Sequence, residues 1–293
     1  MKILTFLSLF LPWTVIATDN CPKADSALYG ECMIENISTL ISEKKYTYAL
    51  DLLRSYEEWF RAQKQLDYNN VGKIVSGKAF IYYLKGDYNE SLKSFNEALE
   101  IFYTKKDEEK VAETKTNISI VKASMSDYKE AIKVINDAEK YYRKTNRVID
   151  LADVLFNKGI FYYFSNDYED ALHHLSEAEK IYLAKNLKIR YLSTQVLKGI
   201  IKAKRGDYRD ALYLCENNLL SFSLKYYCIA LAYDGLQNRE EARKAFRKAL
   251  EKIDKNINQV IKNSGDEAAQ ALSEKYSEIF TEYLLFMLRS SIR

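Results

Sequence analysis

One short phrase recurs through this chain: Gly86-Asp87-Tyr88-Asn89-Glu90-Ser91-Leu92, Ser126-Asp127-Tyr128-Lys129-Glu130-Ala131-Ile132, Asn166-Asp167-Tyr168-Glu169-Asp170-Ala171-Leu172 and Gly206-Asp207-Tyr208-Arg209-Asp210-Ala211-Leu212. The four tyrosines stand 40 residues apart. Lys45-Tyr46-Thr47-Tyr48-Ala49-Leu50 continues the series 42 residues earlier, and Asn238-Arg239-Glu240-Glu241-Ala242-Arg243 continues it 31 residues after Tyr208. That makes six units, the outer two degenerate. Self-similarity at a fixed period of this size marks stacked units, each too small to bury its apolar face alone.

The unit is helical. Both prolines of the 293 residues, Pro12 and Pro22, precede the repeats, and only nine glycines occur, so the turn chemistry of an all-β chain is missing. Within residues 152–185, Leu155, Gly159 and Tyr162 recur at i, i+4, i+7. Ala171, Leu175 and Ala178 repeat that stripe after the Asn166-Asp167 break. The break predicts a helix-turn-helix in which Asp caps the second helix. Gly159 and Ala171 let the two helices approach, and Tyr162 and Tyr168 fill the space beside them.

These residues resemble the tetratricopeptide repeat over roughly residues 30–256. The resemblance rests on small residues in the first helix (Ala79, Ser119, Gly159, Gly199, Ala230) twelve positions before a small residue of the second (Ser91, Ala131, Ala171, Ala211, Ala242). Seven further on stand Ala98, Ala138, Ala178 and Ala249, with Asn218 the exception. The usual repeat has 34 residues; 40 implies helices longer by about a turn, as in kinesin light chain and bacterial peptide-sensing regulators. The fold expected is an all-α, right-handed α-solenoid of about six helix-turn-helix repeats. After Gly265-Asp266-Glu267, the apolar face of Leu272, Tyr276, Ile279, Phe280, Tyr283, Leu284 and Met287 predicts a capping helix over 266–291. The alternative for that helix is membrane or partner docking through Tyr283 to Leu288.

The expected organisation is a signal peptide at 1–17, an N-terminal segment at 18–29, repeats at 30–256, and a linker with the capping helix at 257–293. Met1-Lys2 followed by an apolar stretch from Ile3 to Ile16 reads as an export signal, with cleavage after Ala17. A membrane anchor is the alternative, although the stretch is shorter than the ~18 residues a span needs. Export to the periplasm or cell exterior favours disulfides. The helix after Tyr208 should turn near Ser221, which places Cys215 and Cys228 level on the two arms of a truncated hairpin. A Cys215–Cys228 bridge is expected there, and a Cys21–Cys32 bridge at the N-terminus; buried free thiols are the alternative.

Charge and motif argue mostly by exclusion. With 44 basic and 41 acidic residues the net charge is +3, interspersed, which is no footprint for nucleic acid. Gly72-Lys73-Ile74-Val75-Ser76-Gly77-Lys78-Ala79 imitates a phosphate loop, but Ala79 replaces the magnesium-binding hydroxyl and the run lies in a predicted helix. His173 and His174 are adjacent and cannot form an i, i+4 metal pair, so no metal and no cofactor is expected. No nucleophile-base pairing stands out, and the chain is expected not to be an enzyme. Sequons at Asn36, Asn89 and Asn117 are no more than composition gives, and the Arg239–Lys252 basic stretch is a solvated face.

What remains is the groove that the resemblance implies, lined by the first helix of each unit. The family pattern points to Lys73, Ser76, Phe80 and Tyr83, then Glu113 and Thr116, then Asp153, Phe156 and Tyr163, then Ser193 and Val196, and Tyr227. Core packing is the alternative role for the aromatics. The family's carboxylate clamp is not reproduced, because Phe80, Ile120 and Ile160 stand at its asparagine positions. The function expected is a protein- or peptide-binding adaptor of the cell envelope, with no nucleic-acid partner and no membrane span after cleavage. A peptide-sensing or inhibitory module is the alternative.

Overall fold

The computed structural model describes residues 26–62, 68–220, 222–264 and 276–291. The expected signal peptide, Cys21 and the Gly265-Asp266-Glu267 break lie outside them. All the described elements are helices. In chain order α1 (Ser26–Ser42) pairs with α2 (Tyr46–Arg61) and α3 (Tyr68–Lys85) with α4 (Tyr88–Thr104); α5 (Glu108–Ser124) and α6 (Tyr128–Lys144) follow. Next come α7 (Val148–Phe164) with α8 (Tyr168–Ala184), α9 (Lys188–Arg205) with α10 (Tyr208–Glu216), and α11 (Ser223–Gly235) with α12 (Arg239–Ser264). A last helix, α13 (Ser277–Ser291), follows. From α1 to α5, and again from α6 to α12, consecutive helices pack on one another, as expected for an all-α solenoid of helix-turn-helix repeats.

The sequence shows a period of 40, but the backbone repeats every 20. Gly86, Lys106, Ser126, Asn146, Asn166, Asn186 and Gly206 all adopt positive φ, between 55° and 96°. Each closes a helix in the same way. The amide of the following residue bonds back five positions: Asp87 to the Tyr82 carbonyl at 2.9 Å, Asp107 to Phe102 at 3.0 Å, Arg147 to Tyr142 at 3.0 Å, and Leu187 to Tyr182 at 2.9 Å. This is the left-handed termination that satisfies the last carbonyls of a helix. Turns within and between hairpins are therefore equivalent, and the Asp-Tyr phrase marks only alternate ones. Asp87, Asp107 and Asp167 then cap the next helix by accepting from the amides of Glu90, Lys110 and Asp170, at 3.4, 3.0 and 3.3 Å.

Contacts divide the chain into two compact units, between Asp127 and Tyr128. In the first, Leu53, Phe60, Ile74, Val75, Ile81 and Phe102 form the core. The second buries Leu155, Phe161, Leu175, Tyr182, Tyr227 and Phe246. The small positions work as expected. A methyl group on Gly159 would stand 2.5 Å from Leu175 Cγ and 3.2 Å from the Ala171 carbonyl, and the Ser91 hydroxyl donates to the Ala79 carbonyl at 2.8 Å.

The fifth hairpin is the irregular one. Its second helix, α10, has 9 residues, against 17 for α8. Cys215, near the end of α10, is bonded to Cys228 on α11 with Cα atoms 6.3 Å apart. Cys32 is disulfide-bonded too, and Cys21, its expected partner, lies outside the described residues. Helix α12 continues past residue 256 to Ser264. Against it packs α13, with Tyr283 5.7 Å from Phe246, Ile279 buried, and Glu282 accepting from Lys204 at 2.5 Å.

Candidate functional site

The first helices α3, α5, α7, α9 and α11 carry all twelve residues of the expected groove. Half of these side chains, Lys73, Ser76, Phe80, Glu113, Thr116 and Asp153, are partly exposed. The other six, Tyr83, Phe156, Tyr163, Ser193, Val196 and Tyr227, are buried. Burial of the second set has a packing cause. Longer helices bring more side chains into each interface, and aromatic rings fill it. Tyr227 lies 6.5 Å from the Phe246 ring with the Lys204 ammonium 5.9 Å over its face, and Tyr163 lies 6.1 Å from Tyr168.

In the first unit, Phe80 stacks on Tyr83 at 6.4 Å, and the Tyr83 hydroxyl accepts from Ser124 at 3.5 Å. Glu113 is paired with Lys110 at 2.6 Å, one turn earlier on α5. Thr116 returns its hydroxyl to the Ala112 carbonyl at 3.0 Å. This surface offers one half-exposed ring among polar groups, which suits side-chain capture better than bond chemistry.

In the second unit, Asp153 is the polar centre. Its Oδ1 accepts from the Tyr182 hydroxyl at 2.7 Å and pairs with Arg190 at 2.9 Å. Burial raises the Asp153 pKa, against the opposing Tyr182 hydrogen bond and the Arg190 charge. Burial and then the Asp153 charge push the Tyr182 phenol far up. The carboxylate thus holds α7, α8 and α9 together.

Family models described as tetratricopeptide repeat match residues 71–144 and again residues 226–251. The chain carries tetratricopeptide repeats. No curated protein matches the sequence. Among solved structures it is similar to the apo form of RapI, at 15% identity over 90% of this chain and 77% of that one, with a TM-score of 0.65. NprR in complex with its cognate peptide NprX is similar at 18% identity over 92% and 79%, with a TM-score of 0.59. Aspartyl phosphate phosphatase F from Bacillus subtilis is similar at 16% identity over 78% and 60%, with a TM-score of 0.60. These identities speak to the fold.

Two features of the chain escape the motif reading. Tyr182 belongs to an aromatic series, Phe102, Tyr142 and Tyr182, that recurs near the ends of α4, α6 and α8 and is buried at 2–3% exposure. Its 40-residue spacing is visible in the sequence beside the Asp-Tyr phrase. The other is charge placed between hairpins. Glu139 on α6 accepts from Lys158 on α7 at 2.6 Å and from Arg143 at 2.9 Å, and Arg143 reaches Glu177 on α8 at 2.8 Å. Glu57, Arg61, Lys78 and Glu97 repeat the arrangement in the first unit. Burial pushes the Glu139 carboxyl up, but its hydrogen bonds to Lys158 and Arg143 outweigh that and lower its pKa.

Beside this network the ligand atoms of His173, His174 and Glu177 converge to within 4.8 Å. Comparing the two histidines only with each other misses that His173 and Glu177 are i, i+4 neighbours. A cation there must displace the Arg143 guanidinium from Glu177 and sit near the Lys158 ammonium. Repulsion therefore opposes a metal, and the network reads as structural.

Proposed function

We propose that the chain is a non-enzymatic adaptor that binds a protein or peptide segment along its first-helix faces. The observation that carries this is the set of five partly exposed groove residues, Lys73, Ser76, Phe80, Glu113 and Thr116, on the first helices α3 and α5. One ring, one carboxylate, one ammonium and two hydroxyls suit an extended or helical segment read by its side chains. The likeness to NprR, solved with a peptide, supports the same reading.

The setting we propose is the cell envelope, with residues 1–17 removed on export, 18–29 an N-terminal segment, 30–256 the repeats, and 257–293 covering the end of the stack. Crosslinking in cells followed by mass spectrometry tests the groove. Phe80→Ala and Glu113→Gln, both at partly exposed positions, are expected to reduce partner recovery severalfold with the circular dichroism unchanged. Undiminished recovery from the double variant would move binding off the first-helix faces.

A further inference from the structure

Helix α10 stops at Glu216, whereas α8 runs to Ala184, and the Cys215–Cys228 bridge fixes the shortened hairpin. The next helix, α11, begins at Ser223. The place that the last two turns of a full-length second helix would occupy is left as a cavity of about 470 Å³, bounded by the end of α8, the start of α9 and the end of α10. That volume falls within the range of sites that hold small ligands or a few side chains.

The walls are apolar for identifiable reasons. Tyr182 and Tyr191 line the cavity with their hydroxyls already engaged, the first donating to Asp153 at 2.7 Å and the second accepting from Gln195 at 2.7 Å. Their rings line the space beside the amides of Asn186, Gln195 and Asn217. Leu183, Tyr213 and Leu219 complete it while standing 58%, 72% and 74% exposed. Three large apolar side chains lying this open around one cavity are unusual for a surface facing only water.

The charge is one-sided. Lys188 is the one charged residue in the wall, and it makes no ion pair among the described residues. Residues 183–195 contain Lys185, Lys188 and Arg190 and no carboxylate. Arg190 is paired with Asp153 at 2.9 Å, and Glu216, at the end of α10, accepts from the Tyr233 hydroxyl at 2.7 Å, so Lys188 is the charge the cavity offers.

We propose that this notch is a second binding site, separate from the first-helix groove, and that it takes an acidic peptide segment carrying one bulky apolar side chain. The apolar side chain fills the space between Tyr182, Tyr191 and Tyr213, and the adjacent carboxylate pairs with Lys188. The volume admits one or two side chains and not a second helix, so the occupant is an extended segment.

The test uses two synthetic probes, Ac-Glu-Glu-Leu-Phe-Asp-NH2 and its neutral counterpart Ac-Gln-Gln-Leu-Phe-Asn-NH2, titrated into the full chain with oxidised cysteines and followed by NMR. The acidic peptide is expected to bind about fivefold more tightly, and K188E removes that preference. Y213S, at an exposed position, weakens both peptides by about tenfold. F80A, in the groove, changes neither. Equal affinity for the two peptides, no binding by either, or a loss with F80A but not with Y213S would each overturn the proposal. The last outcome would return the peptide to the groove.

Discussion

At the scale of single residues, the ion-pair network on α6, α7 and α8 determines how the chain responds to pH. Lys158 is only 6% exposed, and it is tolerated because Glu139 bonds it directly. His174 stacks on Tyr162 at 5.3 Å, and its buried Nδ1 has no hydrogen-bond partner. Burial, with the Lys158 charge adding to it, pushes the His174 pKa down to about 4 from 6.5. Its folded-state pKa lies below the unfolded value, so the unfolded chain takes up the proton first as pH falls. Stability tied to this group is full above about pH 6.5, falls between 6.5 and 4, and is level below. A fully buried ring shifted this far would account for about 3 kcal/mol, and solvent around a half-exposed one reduces that to about 1 kcal/mol. His174→Phe keeps the ring on Tyr162 and removes the titration. Urea midpoints at pH 7.5 and 4.5 are expected to differ less in the variant than in the wild type. An equal difference in both proteins would assign the acid sensitivity to other groups.

At the scale of elements, glycines show how much of the packing could be read in advance. Gly159 sits where the repeat calls for a small residue, and the structure puts Leu175 and the Ala171 carbonyl against it. Gly77 looks similar in sequence, being mid-helix in α3, but a methyl group there would meet Leu53 at 3.5 and 3.6 Å, an ordinary contact. The two should therefore respond with opposite sign to the same change. Gly77→Ala removes the entropy cost of a helical glycine and stabilises by about 0.5–1 kcal/mol, while Gly159→Ala overpacks the hairpin and costs about 1–3 kcal/mol. Thermal unfolding of the two variants reads this directly, and a stabilised Gly159→Ala would contradict the close approach. The hairpins and the small positions were legible because they alternate with the Asp-Tyr phrase. The intervening turns were not, since Lys105-Lys106-Asp107, Thr145-Asn146-Arg147 and Lys185-Asn186-Leu187 share no common phrase. Only the backbone reveals that all three take positive φ. The groove was legible in part: family position locates the right helices, but whether a ring at such a position faces solvent depends on the neighbouring hairpin. That is why Phe80 remains accessible while Tyr227 is 1% exposed.

At the scale of the whole molecule, the repeats dictate where the chain can work through its one irregular hairpin. A 13-residue separation between Cys215 and Cys228 gives a bridge worth about 3 kcal/mol by loop entropy. Both residues are 0% exposed, so reductant reaches the bond only when the hairpin opens. A stable bond of this kind is compatible with the oxidising compartment proposed above, to which the expected leader would carry the chain. The two inferences are independent, because one rests on residues 1–17 and the other on residues 215 and 228. Intact-mass analysis of unreduced protein from its native cell tests both at once. The expected species begins at Thr18 and takes up no alkylating reagent at Cys215 or Cys228 until it is unfolded and reduced. Recovery of a chain beginning at Met1 with both thiols alkylated after unfolding would place it in a reducing compartment. The shortened hairpin would then have to stand without its bridge, at a cost of about 3 kcal/mol.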